Sequence, residues 1–324
     1  MKVILHAGSL RTGSTYLQAL IWNNMPAFAH AGIFVPKTGV QSMHHYDIAR
    51  ATGFGYPAQR LGAEAAGGFV QELMQELAAN DSETALLSSE HFDVGVSPES
   101  ISRLLGALGG HDLGVVIYLR NQVDLMQSLY FEHLKWGGIS DYNQFARQML
   151  QNRTLAYDAR IAYWINAGVG VRILDYNQQR ADLAESFLRL LPGAPPLNRL
   201  AAPAGAVNES LSPEAMEYLR RENCKIQDHA ERRCAYLTLY ETLHQQASRW
   251  TKSRNLPLPV VLRNALPELT LGNRRLAEMM GEDADFLQGD LVAYDAQRAE
   301  DTHLDMTAFY HEIGQLENKP TTEQ

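Results

Sequence analysis

The chain has 324 residues, of which 45% are hydrophobic and 20% charged, a composition that favours a packed globular protein. Its net charge of −9 at pH 7 argues against a general binder of nucleic acid, although it leaves room for a local basic pocket. No apolar run approaches the ~18 residues of a membrane span, and "MKVILHAG" is too short for a signal-peptide core, so we expect a cytoplasmic protein without a membrane span.

Strands and helices alternate along the first half of the sequence. Short apolar runs predict strands, and apolar residues at helical spacing predict helices. In chain order these elements are a strand at 2–7, a helix at 14–24, a strand at 32–36, a helix at 58–79, a strand at 84–89, a helix at 98–108, a strand at 113–119, helices at 120–136, 141–151 and 157–167, and a strand at 169–176. Beyond them the pattern is mostly helical, broken by "LPGAPPLNRLAAPAG".

This alternation predicts an α/β fold, with a parallel β-sheet flanked by helices and a mostly helical C-terminal part. Ligands bind such sheets at the carboxyl ends of the strands. We therefore expect the chemistry in the loops that follow the first, third and fourth strands. A single domain is predicted over residues 1–316, and the polar segment 317–324 is predicted to be a disordered tail.

The sequence carries no recognisable metal-binding pattern. Cys224 and Cys234 lack the spacing of a metal site, and we expect both to be reduced. There is neither an HExxH motif nor a Cys/His framework, so no metal is predicted, and only Asp175, near the end of the fifth strand, weakens that exclusion.

The segment "HAGSLRTGSTYLQ", residues 6–18, has the spacing of a phosphate-binding loop between a strand and a helix. A triphosphate loop reads G-x-x-x-x-G-K-[ST], but Ser14 stands where the lysine belongs, and the only cation is Arg11, inside the loop. Without the lysine a third phosphate loses its main clamp, so the loop favours a shorter anion. The alternative is a glycine turn that binds nothing.

A second candidate for phosphate binding is the segment "VVIYLRNQVDLMQSLY". Arg120 ends the fourth strand, and Ser128 lies two turns into the following helix. A guanidinium can bind a phosphate through two parallel hydrogen bonds, and the serine can add one donor. Taken alone, the pair is better interpreted as a surface arginine and an ordinary helical serine.

Together these two segments resemble the nucleotide-binding motifs of the sulfotransferases that use 3′-phosphoadenosine 5′-phosphosulfate (PAPS). In that family a Lys or Arg stands where this chain has Arg11, followed by a small residue, a glycine and two hydroxyls, and a strand-end Arg with a Ser eight residues later holds the 3′-phosphate. The resemblance implies a set of PAPS-binding residues: Gly8, Arg11, Thr12, Gly13, Ser14, Thr15, Tyr16, Arg120, Ser128 and Tyr176.

Weaker similarities extend along most of the chain. The segments "LLSSEHF", "VRILDY", "NESLS" and "GNRRLAEMMG" resemble parts of bacterial, carbohydrate-type members, and "VRILDY" resembles the strand ending in a Tyr that approaches the nucleotide. The basic C-terminal loop that closes over the nucleotide in cytosolic members has no clear copy here. Arg199, Asn208 and Ser210 are candidates to replace it.

The resemblance implies a P-loop-like fold and a transfer of the sulfuryl group from PAPS to a hydroxyl, releasing 3′,5′-ADP without a metal. It implies a carbohydrate or another small polar molecule as acceptor, whose identity the sequence does not give. Two other functions fit the same loop architecture. A small-molecule kinase would need the missing lysine, and a non-catalytic nucleotide-binding module would not need the intact "SSEHF".

Sulfuryl transfer needs a base for the acceptor hydroxyl and a positive group near the leaving phosphate, for which Arg11 is the candidate. Glu90 and His91 follow the third strand, and adjacent residues leaving a strand face opposite ways, so we expect only one of them to be the base. Glu90 is favoured, because His91 precedes Phe92 and is expected to turn toward packing. His44 and His45 remain alternatives, either as the base or beside the acceptor, and a plain solvent-facing or packing role fits this pair at least as well.

Overall fold

The computed structural model describes residues 1–203, 211–247, 255–299, 306–307 and 309–311. The predicted tail at 317–324 and the candidates Asn208 and Ser210 lie outside the described residues. The chain divides into two compact units. The first comprises Met1–Asn121, Thr154–Gly205 and Leu269–Gly289, and the second comprises Gln122–Arg153, Ala206–Glu268 and Asp290–Gln324. The prediction of a single domain over residues 1–316 remains a prediction.

The first unit is built on a five-stranded sheet in which every pairing is parallel. Its strands are β1 (Lys2–His6), β2 (Ile33–Phe34), β3 (Thr84–Ser88), β4 (Asp112–Leu119) and β5 (Gly170–Asp175). Their order across the sheet is β2-β3-β1-β4-β5. This architecture confirms the predicted α/β class. The order reverses at the central strand β1, and the crevice at such a point is where open parallel sheets bind ligands.

Helices fill the connections of the first unit: α1 (Ser14–Asn23), α2 (Met25–His30), α3 (Tyr46–Ala51), α4 (Ala63–Ala78), α5 (Pro98–Ala107), α8 (Tyr157–Asn166), α9 (Tyr176–Gln179) and α10 (Leu183–Leu188). The second unit contains α6 (Gln122–Lys135), α7 (Tyr142–Gln151), α11 (Pro213–Lys225), α12 (His229–Ala247) and α14 (Leu291–Ala299). Helix α13 (Val260–Met280) has residues in both units.

The predicted helix at 58–79 starts later, because Pro57–Gln59 form a 3₁₀ turn and Gly62 caps α4 in an extended conformation.

Both faces of the sheet are buried. On one face Ile4, Leu86 and Val116 pack with Leu17 of α1 and Phe187 of α10. The alternate strand residues, which point to the opposite face, are equally inaccessible: Val3, Leu5, Ala85, Leu87, Val115 and Ile117. Burial on both faces explains why the strands read as continuous apolar runs rather than alternating ones.

The second unit is helical and is held by buried polar contacts as well as by apolar ones. Asn223 of α11 donates to the carbonyl oxygens of Leu134 and Gly138 at 2.9 and 3.0 Å. Arg298 of α14 donates to the carbonyl of Leu256 at 3.1 Å. The two cysteines are free and exposed in this unit. Across the described residues, no helix combines the length and the apolarity needed to cross a membrane.

Candidate functional site

The loop between β1 and α1 is shaped by two residues with positive φ. Arg11 has φ 64° and Gly13, which precedes the first residue of α1, has φ 73°. Thr12 closes the loop by donating from Oγ1 to the carbonyl of Ser9 at 2.6 Å. Glycine adopts this left-handed conformation without strain, whereas Arg11 does so at a cost of about 1–3 kcal/mol. Strain of this kind is common where a backbone is shaped for a ligand.

Gly8 lies where a side chain has no room. A Cβ atom at this position would lie 2.9 Å from the Cβ of Ser14 and 3.0 Å from Nε2 of His6. The first distance is shorter than ordinary contacts of a Cβ atom, and the second is at their lower limit. The loop backbone can therefore approach β1 this closely only with a glycine at residue 8.

We expect Gly8→Ala to lower the free energy of unfolding by about 1–3 kcal/mol, the usual cost of overpacking. Gly67→Ala is the matched control, since Gly67 lies inside α4 with open space around it and should gain up to about 1 kcal/mol. Chemical denaturation of both variants measures the difference. Equal stabilities would show that the loop can relax around a methyl group.

The fold brings four of the predicted nucleotide-binding residues together. The ring of Tyr176 lies 3.5 Å from the position that a Cβ on Gly13 would occupy. The Arg120 guanidinium lies 5.7 Å from the centre of that ring, and its Nη1 donates to the carbonyl of Arg11 at 3.4 Å. Tyr157 of α8 steadies this corner by donating to the carbonyl of Arg120 at 2.7 Å. Residues after β1, β4 and β5 therefore meet at one end of the sheet.

The remaining predicted nucleotide-binding residues differ in exposure. Thr12 and Ser14 are buried, whereas Thr15 and Tyr16 on the first turn of α1 are exposed. Ser128 lies in the second unit, half-buried on α6, and its pairing with Arg120 stays a prediction. Arg199, the described candidate for the closing loop, ends a 3₁₀ turn at Leu197–Arg199.

A buried ion pair that the sequence did not predict supports the loop from beneath. Ser9 donates to Oδ2 of Asp93 at 2.5 Å, and Arg160 of α8 lies 3.3 Å from the same oxygen. Burial raises the pKa of Asp93, while the charge of Arg160 and the Ser9 hydrogen bond act in the opposite direction. The only feature of the sequence that could have indicated this pair is the carboxylate of Asp93, three residues after Glu90. A carboxylate at such a position is also typical of a surface turn.

Glu90, at the end of β3, is the centre of a polar cluster. Tyr46 donates its hydroxyl to Oε1 at 2.5 Å, and Gln18 of α1 donates to Oε2 at 3.1 Å. Nδ1 of His44 lies 3.0 Å from the same Oε2. The two alternative regions for the base, the third strand end and the double histidine, thus form one cluster.

This cluster keeps Glu90 ionised. Burial alone raises the pKa of the carboxyl, but the hydrogen bond and electrostatic interaction with His44, together with the Tyr46 hydroxyl, outweigh it and lower the pKa to about 2. Burial and the bond to Glu90 raise the pKa of Tyr46. At neutral pH the cluster therefore contains a carboxylate and a neutral phenol.

His45 and His91 have different surroundings from His44. His45 accepts the backbone N–H of Ser88 at Nδ1 and donates from Nε2 to the carbonyl of Pro36 at 2.9 Å, so both ring nitrogens are used by the backbone. The His91 ring lies 4.3 Å from the ring of Tyr46 and 6.0 Å from that of Tyr56. Burial lowers the pKa of both histidines.

His6, the last residue of β1, was not singled out in the sequence. It is fully buried beneath Gly8, and its Nδ1 lies 2.8 Å from the Ser88 hydroxyl. Burial lowers the pKa of His6 to about 4 against an opposing effect of Glu90. Because His6 is the last residue of an apolar strand, its place in the sequence is typical of an ordinary core residue.

The geometry thus supplies a glycine loop with a helix N-terminus, a cation beside that loop, and a carboxylate–histidine pair at the neighbouring strand end. This set can bind an anion and accept a proton next to it. The described residues contain no group of three or more His, Cys, Asp or Glu side chains placed to hold a metal ion.

No protein-family model matches the chain, and no curated protein matches it either. Among solved structures, it is similar to the crystal structure of a sulfotransferase from Alicyclobacillus acidocaldarius, with 13% identity and a TM-score of 0.43, over 72% of this chain and 95% of that one.

Proposed function

We propose that the protein is a sulfotransferase that moves the sulfuryl group of PAPS to the hydroxyl of a carbohydrate or another small polar acceptor, releasing 3′,5′-ADP. The observation that carries this proposal is the meeting of Arg120 and Tyr176 with a phosphate-type loop that has Ser14 in place of a lysine. An anion shorter than a triphosphate fits the loop without a lysine, and a second phosphate on the same ligand fits the nearby Arg120.

The residues fit the nucleotide by their chemistry. PAPS supplies an activated sulfuryl group joined to a 5′-phosphate. The loop amides at 8–14 and the hydroxyls of Ser14 and Thr15 would hold that phosphate at the N-terminus of α1. Arg11 would neutralise the negative charge that develops on it, and Arg120 would bind the 3′-phosphate through its guanidinium.

The two rival functions place different demands on the site. A kinase of the triphosphate-loop type uses a lysine on the outer phosphates, and Ser14 has no ammonium to offer. A module that only binds nucleotide has no use for a carboxylate held by hydrogen bonds beside a histidine, as Glu90 and His44 are. The cluster at the end of β3 therefore favours an enzyme.

Ligand preference tests this proposal directly. Isothermal titration calorimetry should show micromolar binding of 3′,5′-ADP, about −8 kcal/mol, and much weaker binding of ATP. Adding magnesium should not strengthen either interaction, because no magnesium-bound triphosphate is expected to be the ligand. Tighter binding of ATP with magnesium than of 3′,5′-ADP would contradict the proposed function and favour the kinase.

A further inference from the structure

We infer that His44, through Nε2, is the general base for the acceptor hydroxyl, and that Glu90 is a positioning residue that orients the imidazole. The inference rests on the proposed function and assigns the base of that reaction. It replaces the expectation from sequence that Glu90 itself accepts the proton.

The hydrogen bond between His44 and Glu90 determines which ring nitrogen is available. Glu90 is a carboxylate and can only accept, so Nδ1 of His44, 3.0 Å from Oε2, must carry the hydrogen. In the neutral imidazole the lone pair is then on Nε2. No described residue forms a hydrogen bond with this Nε2, and the His44 side chain keeps 9% of its surface exposed.

The three donors around Glu90 make it unsuited to accept a proton. Tyr46 occupies Oε1, while Gln18 and His44 occupy Oε2, so each oxygen already has a partner. Protonating the carboxyl would break part of this arrangement, in agreement with its lowered pKa of about 2. A carboxylate held in this way stabilises and orients a neighbouring imidazole, as in hydrolase triads.

The backbone around His44 also restrains its position. Residues 41–44 form a tight turn in which Gln41 and His44 exchange backbone hydrogen bonds of 2.8 and 2.9 Å. Its central residues, Ser42 and Met43, both have positive φ, 46° and 74°, without being glycines. Tyr46 stacks on the His44 ring with centres 4.6 Å apart and planes at 10°.

The other histidines of this region are less suitable. Both ring nitrogens of His45 bond to the backbone, and His6 is completely buried. His91 packs against Tyr46 and Tyr56, and its buried Nδ1 has no hydrogen-bond partner that would fix the tautomer. Among the described histidines near Glu90, His44 combines a tautomer fixed by the carboxylate with a second ring nitrogen that no described residue bonds.

The proposed step is a single displacement. The acceptor oxygen forms a bond to sulfur while the bond between sulfur and the 5′-phosphate oxygen breaks. The hydroxyl proton passes to Nε2 of His44, and the electron pair of the broken bond stays on the phosphate oxygen of 3′,5′-ADP. The imidazolium that forms is stabilised by Glu90 and later loses its proton to solvent. The charged and titratable groups around the His44 ring are Glu90, Tyr46, His6, His45 and His91.

The test compares His44→Asn, His44→Ala and Glu90→Gln with the exposed control His30→Asn. The Asn side chain can still donate an N–H toward Glu90 but cannot act as a base. Transfer of label from ³⁵S-PAPS to a panel of sugars and polyols should fall by about 10²–10⁴ in His44→Asn, with unchanged affinity for 3′,5′-ADP. Added imidazole should restore part of the rate in His44→Ala.

Imidazole should not restore Glu90→Gln, because His44 still fills the site. The inference would be overturned if the His44→Asn variant transferred label at the wild-type rate. It would also be overturned if the His44→Ala variant were fully active while the Glu90→Gln variant was inactive. A wild-type chain that neither binds 3′,5′-ADP nor transfers label would instead contradict the proposed function. In that case ¹⁵N NMR of the wild-type protein still tests whether His44 donates from Nδ1 to Glu90. The inference requires the Nδ1–H tautomer of His44, and observation of the Nε2–H tautomer would exclude His44 as the base.

Discussion

Replacing Arg120 with alanine is expected to weaken the binding of 3′,5′-ADP by about 2–3 kcal/mol, or about 30–150-fold. The loss corresponds to a charge-assisted hydrogen bond to phosphate whose partner is left unpaired. Binding of 5′-AMP, which lacks the 3′-phosphate, should change little. Calorimetry with both nucleotides on the same variant measures the two losses.

Two further variants sharpen this experiment. Arg120→Lys keeps the charge but not the planar, two-pronged donor, so it should recover only part of the lost affinity. Arg60→Ala removes an exposed arginine of the same unit and should leave both affinities unchanged. Because Arg120 also donates to the carbonyl of Arg11, equal losses for the two nucleotides would mean that it shapes the 5′-phosphate loop rather than binding the 3′-phosphate.

The sheet and the loop were predictable because their signals are local. A buried parallel strand reads as an apolar run, and "HAGSLRTGST" places its glycines where the chain turns from β1 into α1. The carboxyl ends of parallel strands meet at one edge, which accounts for the meeting of Gly13, Arg120 and Tyr176. The short helices α2 and α3, with six residues each, were missed, since so short a stretch shows no clear period.

The contacts of the candidate base could not be predicted in the same way. His44 and Glu90 are 46 residues apart and meet only because β3 and the turn at 41–44 end at the same place. That turn has positive φ at Ser42 and Met43, and neither position has the glycine that would have predicted it from the sequence. The Asp93–Arg160 pair was missed for a different reason, since a charged residue in a sequence is usually exposed.

Helix α1 links the proposed phosphate site to the acid–base cluster. Ser14 begins this helix beside the loop, and Gln18, one turn later on the same face, donates to Glu90. Glu90 in turn contacts His44 and Tyr46. A rigid helix between the two groups sets the distance between a bound nucleotide and the proposed base, which is what in-line transfer requires.

Acidification is expected to destabilise the protein through His6. Burial holds the pKa of this histidine at about 4, whereas the unfolded chain takes up its proton near pH 6.5. Above pH 6.5 both states are neutral at this site and it has no pH-dependent effect. As the pH falls from 6.5 to 4, only the unfolded state gains the proton, so the free energy of unfolding should fall by about 3 kcal/mol from this residue.

The His6→Asn variant isolates that contribution from other acid-sensitive groups such as Glu90. It should be less stable than the wild type at pH 7.5, because it loses ring contacts with Phe187 and Tyr118. Since it has no imidazole to protonate, its stability should fall less steeply, and the difference from wild type should narrow by about 3 kcal/mol between pH 7.5 and 4. Urea denaturation at closely spaced pH values measures both curves. The control is His30→Asn, which replaces an exposed histidine, and its curve of stability against pH should run parallel to that of the wild type. Parallel curves for His6→Asn would mean that the folded protein protonates this ring at the same pH as the unfolded chain, a result incompatible with its burial beneath Gly8.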